Sequence, residues 1–176
     1  VVVVSSGDPG VFAMASAVFE AVEQGEPAWR DLDIRVLPGI TAMLAASAAC
    51  GAPLGHDFCA INLSDNLKPW DLIEKRLRLA AEADFAMAFY NPRSKSRPEG
   101  FEKALVTLKE SCGDNRPMIF ARNVSRPDQT IKIVPLQETT PDMADMRTVV
   151  LLGSSQTRII ERGGAPIVYT PRSVDG

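Results

Sequence analysis

Four valines at residues 1–4 break into Ser5-Ser6-Gly7-Asp8-Pro9-Gly10, and an apolar-periodic stretch follows over 11–24. A buried strand, a glycine loop and a helix in that order form the place where open α/β folds hold polar ligands. Glycines let a ligand approach the backbone closely, and the start of a helix leaves N–H groups available as donors. Gly7, Asp8 and Val11 stand at this loop. A second loop of the same kind, Pro38-Gly39-Ile40-Thr41-Ala42, follows a short apolar run. Taken singly, each loop reads equally well as a turn that starts a helix, with Asp8 near the cap.

Acid–base chemistry has few candidates. His56 is the only histidine, and imidazole is the one side chain whose ordinary pKa lies near neutrality. It sits in the glycine-flanked segment GAPLGHD at 51–57, as an acid or base or as a linker side chain bonded to backbone. Asp65 and Asn66 follow an apolar run over 58–63; they read as polar site contacts, an acid/base pair, or the cap of the helix after Pro69. Arg93, Lys95 and Arg97 cluster in FYNPRSKSR, and Arg122 and Arg126 flank a later turn. Arginine pairs carboxylates bidentately, so Arg93, Arg122 and Arg126 read equally as contacts for a carboxylate-bearing ligand or as solvated loop side chains. Lys95 reads rather as a solvated side chain. Cys50, Cys59 and Cys112 show no CxxC spacing. With one histidine they make no zinc site, and reduced thiols in a cytoplasmic protein are the expectation. The motifs GxSxG, HExxH and GxxxxGK[ST] are absent, which removes those nucleophile, zinc and phosphate-loop chemistries.

Strands and helices alternate around these residues, so the fold class is α/β. Strands are expected over 1–4, 34–37, 58–63, 85–90, 118–121, 130–134 and 148–152. Helices are expected over 11–24, 42–50, 70–83 and 100–112. The alanine-rich 42–50 stretch is apolar all round and is expected to be buried. In 70–83, Leu72, Ile73, Leu77 and Ala80 point inward by helical spacing. GAPLGHD reads as a linker, dividing the chain into an N-terminal α/β domain over 1–55 and a C-terminal α/β domain over 56–176. Hairpin-like pieces among βαβ units predict a mixed sheet in the second. A central strand at the first residue, without an initiator Met, leads us to expect earlier sequence and a first domain incomplete in this chain. The 45% hydrophobic and 23% charged fractions are those of a globular protein, and a net charge of −3 argues against a nucleic-acid coat. No apolar run approaches membrane-spanning length.

In order, SGDPG (6–10), LPGITA (37–42), FYNPRS (89–94), ARNVSRPDQT (121–130) and TVVLLGSS (148–155) resemble the tetrapyrrole methylase family, end to end. FYNPRS with ARNVSRPDQT resembles the ring-contracting branch, where siroheme-branch relatives resemble FYM and an NGT-type turn. The family's VGxGPG-type first loop is missing here, in line with the incomplete first domain.

The resemblance implies two α/β domains with a cleft that holds S-adenosylmethionine, the tetrapyrrole lying beside it. Carried over by position, Gly7, Asp8 and Val11 surround the cofactor's amino-acid portion, and Thr41 and Ala42 follow at the second loop. Asn91 stands beside the adenosine where relatives often have Met, so a polar group replaces a thioether. Asn123 and Val124 match the turn at the adenine, and Thr148 and Val149 the start of the last cofactor-lining strand. The implied reaction methylates C-17 of precorrin-3B and extrudes C-20, in cobalamin synthesis, without a metal. Proton movement is needed too, which makes His56 and Asp65 the catalytic candidates. A homodimer is implied by resemblance alone. A sister methylase acting on another precorrin carbon, on diphthine or on ribosomal RNA fits the same motifs. A non-enzymatic flavodoxin-like module binding a phosphate at Gly7 to Gly10 fits the first loop alone.

Overall fold

The computed structural model describes residues 1–94 and 98–173. Lys95 and Arg97 of the cationic cluster lie outside them. Among the described residues four α-helices, α1 (Met14–Gln24), α2 (Ala42–Cys50), α3 (Trp70–Glu82) and α4 (Gly100–Ser111), accompany eight strands. These are β1 (Gly51–Ala52), β2 (Phe58–Asn62), β3 (Ala86–Tyr90), β4 (Pro117–Arg122), β5 (Thr130–Pro135), β6 (Thr148–Leu152), β7 (Arg158–Ile160) and β8 (Ile167–Tyr169).

The main sheet has five strands in the order β2-β3-β6-β4-β5. Only β2 and β3 run parallel; the other neighbours are antiparallel. This is the expected mixed sheet, and it is not the all-parallel sheet of a flavodoxin-like module. Strand side chains alternate between faces, and the two faces bury different sets. Met87, Phe89, Met118, Phe120, Val150 and Leu152 pack with Ile73 and Leu77 of α3 and Phe101 and Leu108 of α4. Ala88, Ile119, Ala121, Val149 and Leu151 pack with Ala46 and Cys50 of α2. Small residues on the second face let α2 lie close, while the first face takes two helices with aromatic fill, including a T-shaped Phe101–Phe120 contact at 6.0 Å. The three-stranded second sheet runs β1-β8-β7.

Several expectations need correction. Residues 1–4 form no strand: Val1 to Val4 are exposed and pair with nothing among the described residues. Residues 34–37 likewise form none, and Leu37 is exposed. Valine content favours an extended chain, but a strand exists only where a neighbour completes its ladder. α1 starts at Met14 rather than residue 11, because Phe12 takes a left-handed φ of 52° that interrupts the helical path. α2 keeps its expected bounds but buries one face only, with Leu44 on the open side. Leu72 points outward, while Ile73, Leu77 and Ala80 face the core as expected. The segment taken as a linker contains β1, whose Gly51 and Ala52 pair in parallel with Val168 and Tyr169.

Candidate active site

Strand register brings the site together. β6 runs antiparallel to both β3 and β4, with Phe89 opposite Val150 and Arg122 opposite Thr148. The ends of β3 and β4 therefore meet the start of β6 at one edge of the sheet. Asn91 leaves β3 there, Asn123 leaves β4, and Thr148 opens β6. The loops around Gly7 and Thr41 stand opposite, and a cleft of about 1040 Å³ lies between. Gly7, Asp8, Val11, Thr41, Ala42, Asn91, Asn123, Val124, Thr148 and Val149 all line it.

The two loops are tied to each other and to the sheet. One Asp8 carboxylate oxygen accepts from the Gly10 N–H at 2.8 Å, the other from the Gly39 N–H at 3.1 Å. Asp8 thus joins the loops and caps no helix; the residue before α1 is Ala13, without a side-chain bond. Tyr90, the last residue of β3, hydrogen-bonds through its hydroxyl to the Thr41 hydroxyl and accepts the Met43 N–H at 3.0 Å. Its ring lies 5.0 Å from that of Phe12.

Backbone conformation at the cleft is unusual. Gly7, Phe12, Asn91, Asn123 and Ser125 have φ between 50° and 74°, and all five line it. Side-chain-bearing residues held there cost of the order of 1–3 kcal/mol each and concentrate at functional sites. Asparagine tolerates this region better than methionine does, a local reason for Asn91 at its position. Asn91 Nδ2 donates to Asn62 Oδ1 at 3.1 Å. Asn123 is buried, and its Nδ2 donates to Asp128 Oδ2 at 2.6 Å.

The expected cationic and catalytic residues are dispersed. Arg126 lines the cleft. Arg122 does not: its Nε donates to Asp145 Oδ2 at 3.0 Å, so its charge is paired within the chain, at a half-exposed position. Burial pushes the Asp145 carboxyl up, but the bonds from Thr148, Arg122 and the Arg147 N–H outweigh it and hold that group below the ordinary carboxylate range. Arg93 stands near Asp142, whose carboxyl is held low first by the Thr140 hydroxyl and also by the Arg93 and Lys132 charges. Asp65 is exposed beyond β2, on the Asn91 side of the sheet but outside the cleft lining.

His56 lies at the other edge. Phe58, two residues on, pairs with Ala86 at the start of β3, whereas the cleft begins at its end. At roughly 3.3 Å per strand residue, about 15 Å separates them. Its Nδ1 is 3.8 Å from Asp57 Oδ2.

Sequence reading missed Tyr90, Phe12, Asp128 and Arg147, which also line the cleft. Tyr90 was legible in FYNPRS as the polar end of an apolar strand, and Asp128 in ARNVSRPDQT. Phe12 and Arg147 carried no local signal.

The description Tetrapyrrole (Corrin/Porphyrin) Methylases matches residues 1–140. A precorrin-3B C(17)-methyltransferase from Sinorhizobium sp is 54% identical over 177 residues, which cover 100% of this chain and 70% of the relative. The chain belongs to the tetrapyrrole methylase family. Within it, the crystal structure of the methyltransferase CobJ superposes with a TM-score of 0.89 at 65% identity, over 95% of this chain and 68% of that one. The uroporphyrin-III C-methyl transferase from Thermus thermophilus, complexed with S-adenyl homocysteine, shares the fold at a TM-score of 0.58 and 20% identity, over 84% of this chain and 62% of that one. The tetrapyrrole methylase fold, an enzyme fold for methyl transfer, is thus the architecture in which the cleft sits. Among the described residues no helix is long and apolar enough to cross a membrane, and no group of three or more His, Cys, Asp or Glu is placed to hold a metal ion.

Proposed function

We propose that the chain transfers a methyl group from S-adenosylmethionine to C-17 of precorrin-3B, with ring contraction to precorrin-4, in cobalamin biosynthesis. The observation that carries this reading is the convergence of ten motif residues, from five separate stretches of chain, on one cleft. Support comes also from the 54% identical relative, itself a precorrin-3B C(17)-methyltransferase.

The residues present fit the cofactor. The cleft has the volume of a cofactor site. Its lining includes Gly7, Thr41 and Val124 beside the polar residues Asn91 and Asn123. Two carboxylates, Asp8 and Asp128, and two guanidiniums, Arg126 and Arg147, line it, so a sulfonium meets no uniformly basic wall. When bound, S-adenosylmethionine supplies an electrophilic methyl on that sulfonium. Gly7, Asp8, Val11, Thr41 and Ala42 would hold the amino-acid portion, and Asn91, Asn123, Val124, Thr148 and Val149 the adenosine. Displacement at a methyl needs nucleophile, carbon and sulfur in line, so the chain's main task is positioning. The Asp8 bonds, the Tyr90 hydroxyl and the left-handed turns pre-set the walls for it. Arg126 supplies a cation for the substrate's carboxylates. The reading extends to a homodimer in the cytoplasm.

The test is incubation of the protein with precorrin-3B and S-adenosylmethionine, read by mass spectrometry and absorbance. The expected product is heavier by one methylene and has the contracted ring. Turnover with a different precorrin instead would assign a sister activity. Failure to bind S-adenosylhomocysteine at all would overturn the cleft as a methyl-donor site.

A further inference from the structure

We propose that Asp145 is a positioning residue for the methyl donor, acting through Thr148, Arg147 and Asn123 without lining the cleft itself. This rests on the methyl-transfer reading above.

The two oxygens of its carboxylate serve different parts of the fold. Oδ1 accepts from the Arg147 N–H at 2.9 Å and from the Thr148 hydroxyl at 2.8 Å. Oδ2 accepts from Arg122 Nε at 3.0 Å, across from β4. The Thr148 hydroxyl in turn accepts the Asp145 N–H at 3.3 Å, and the Thr148 N–H donates to the Asp145 carbonyl at 3.1 Å. Residues 145–148 are therefore closed into a small box at the start of β6, and Arg122 anchors that box to the neighbouring strand.

The β4–β6 ladder already sets Arg122 opposite Thr148. Ladder bonds do not orient a side chain or a carbonyl beyond the strand's end. Asp145 reaches both: its carboxylate holds the Thr148 hydroxyl and the Arg147 N–H, and its own carbonyl accepts the Thr148 N–H, which shares a peptide with the Arg147 carbonyl. The Arg147 carbonyl accepts the Asn123 N–H at 3.0 Å. Asn123 is the left-handed, buried residue at the cleft's inner wall. One carboxylate outside the lining thus refers three lining residues, Asn123, Arg147 and Thr148, to a common point. The donors around it outweigh the burial penalty and keep it ionised below the ordinary carboxylate range, so the box stays charged throughout the neutral range.

The experiment uses the full chain and S-adenosylhomocysteine calorimetry beside steady-state kinetics. Asp145→Asn leaves an acceptor for Arg147 and Thr148 but turns an amide toward Arg122. We expect a donor Kd and donor KM raised by about 10-fold, with kcat at saturating donor within about two-fold of the parent. Arg122→Gln removes the outer anchor and leaves the box. It is expected to raise the donor Kd similarly, and the double variant to bind no worse than the weaker single one. Should Asp145→Asn not fold, Arg122→Gln carries the same test. An unchanged donor Kd in a folded variant overturns the proposal, as does a fall in kcat alone or full additivity of the pair. A parent protein that binds no S-adenosylhomocysteine would instead overturn the methyl-transfer reading on which the proposal stands.

Discussion

Gly39 and Gly7 meet backbone to backbone: a Cβ on Gly39 would lie 2.1 Å from the Gly7 carbonyl oxygen. No side chain fits there, and the contact belongs to backbone that cannot swing aside. The same Gly39 donates its N–H to Asp8. The two loops therefore form one wall of the cleft. Gly39→Ala is expected to part them and to raise the Kd for S-adenosylhomocysteine by about 10-fold or more. Calorimetry checks this; an unaltered Kd would show that the wall does not shape the donor site.

His56 sits at the sheet edge remote from the cleft. His56→Ala is accordingly expected to leave kcat within about two-fold of the parent, whereas loss of a general acid or base costs about 100-fold or more. Measured turnover at saturating substrates decides between the two.

Phe101 is fully buried and edge-on to Phe120. Phe101→Ala is expected to destabilise the protein by about 3–5 kcal/mol, through lost transfer energy and the cavity left between α4 and the sheet. Urea unfolding gives the number, and a loss below about 1 kcal/mol would mean that the core closes over the gap.

Cys50, the last residue of α2, is buried against the sheet, its Sγ donating to the Ser47 carbonyl at 3.6 Å. Burial pushes this thiol up to about 11, only partly offset by hydrogen bonding with Cys50's own backbone. An unfolded cysteine ionises near ~8.5. Between those values the unfolded chain gives up a proton that the folded chain keeps, so stability falls as pH rises through the window. Alkylation of Cys50 by iodoacetamide should be slow at pH 8 and accelerate only toward pH 11. Peptide-resolved mass spectrometry reads it, and rapid labelling at pH 8 in folded protein would contradict the burial.

Local patterns in the chain determined much of the fold. The near-continuous apolar runs in 86–90, 117–122 and 148–152, buried on both faces, and the helical spacing in 70–82 and 100–111 are local features of the chain. Those elements were legible because nothing distant is needed to write them. The motif loops, too, named residues that share one cleft. Partnership was not legible. The valines at 1–4 look like a strand, yet a ladder takes a second segment, and none among the described residues pairs with them. Arg122 looks like a free cation until Asp145, 23 residues on, is folded against it. His56 looks like the acid or base until parallel pairing of β2 with β3 puts it at the wrong edge. Short-range physics acts within a few residues and is written in the sequence. Which strand lies beside which, and in which direction, depends on contacts between distant residues; only the tertiary structure decided that, and with it the side chains that share the cleft.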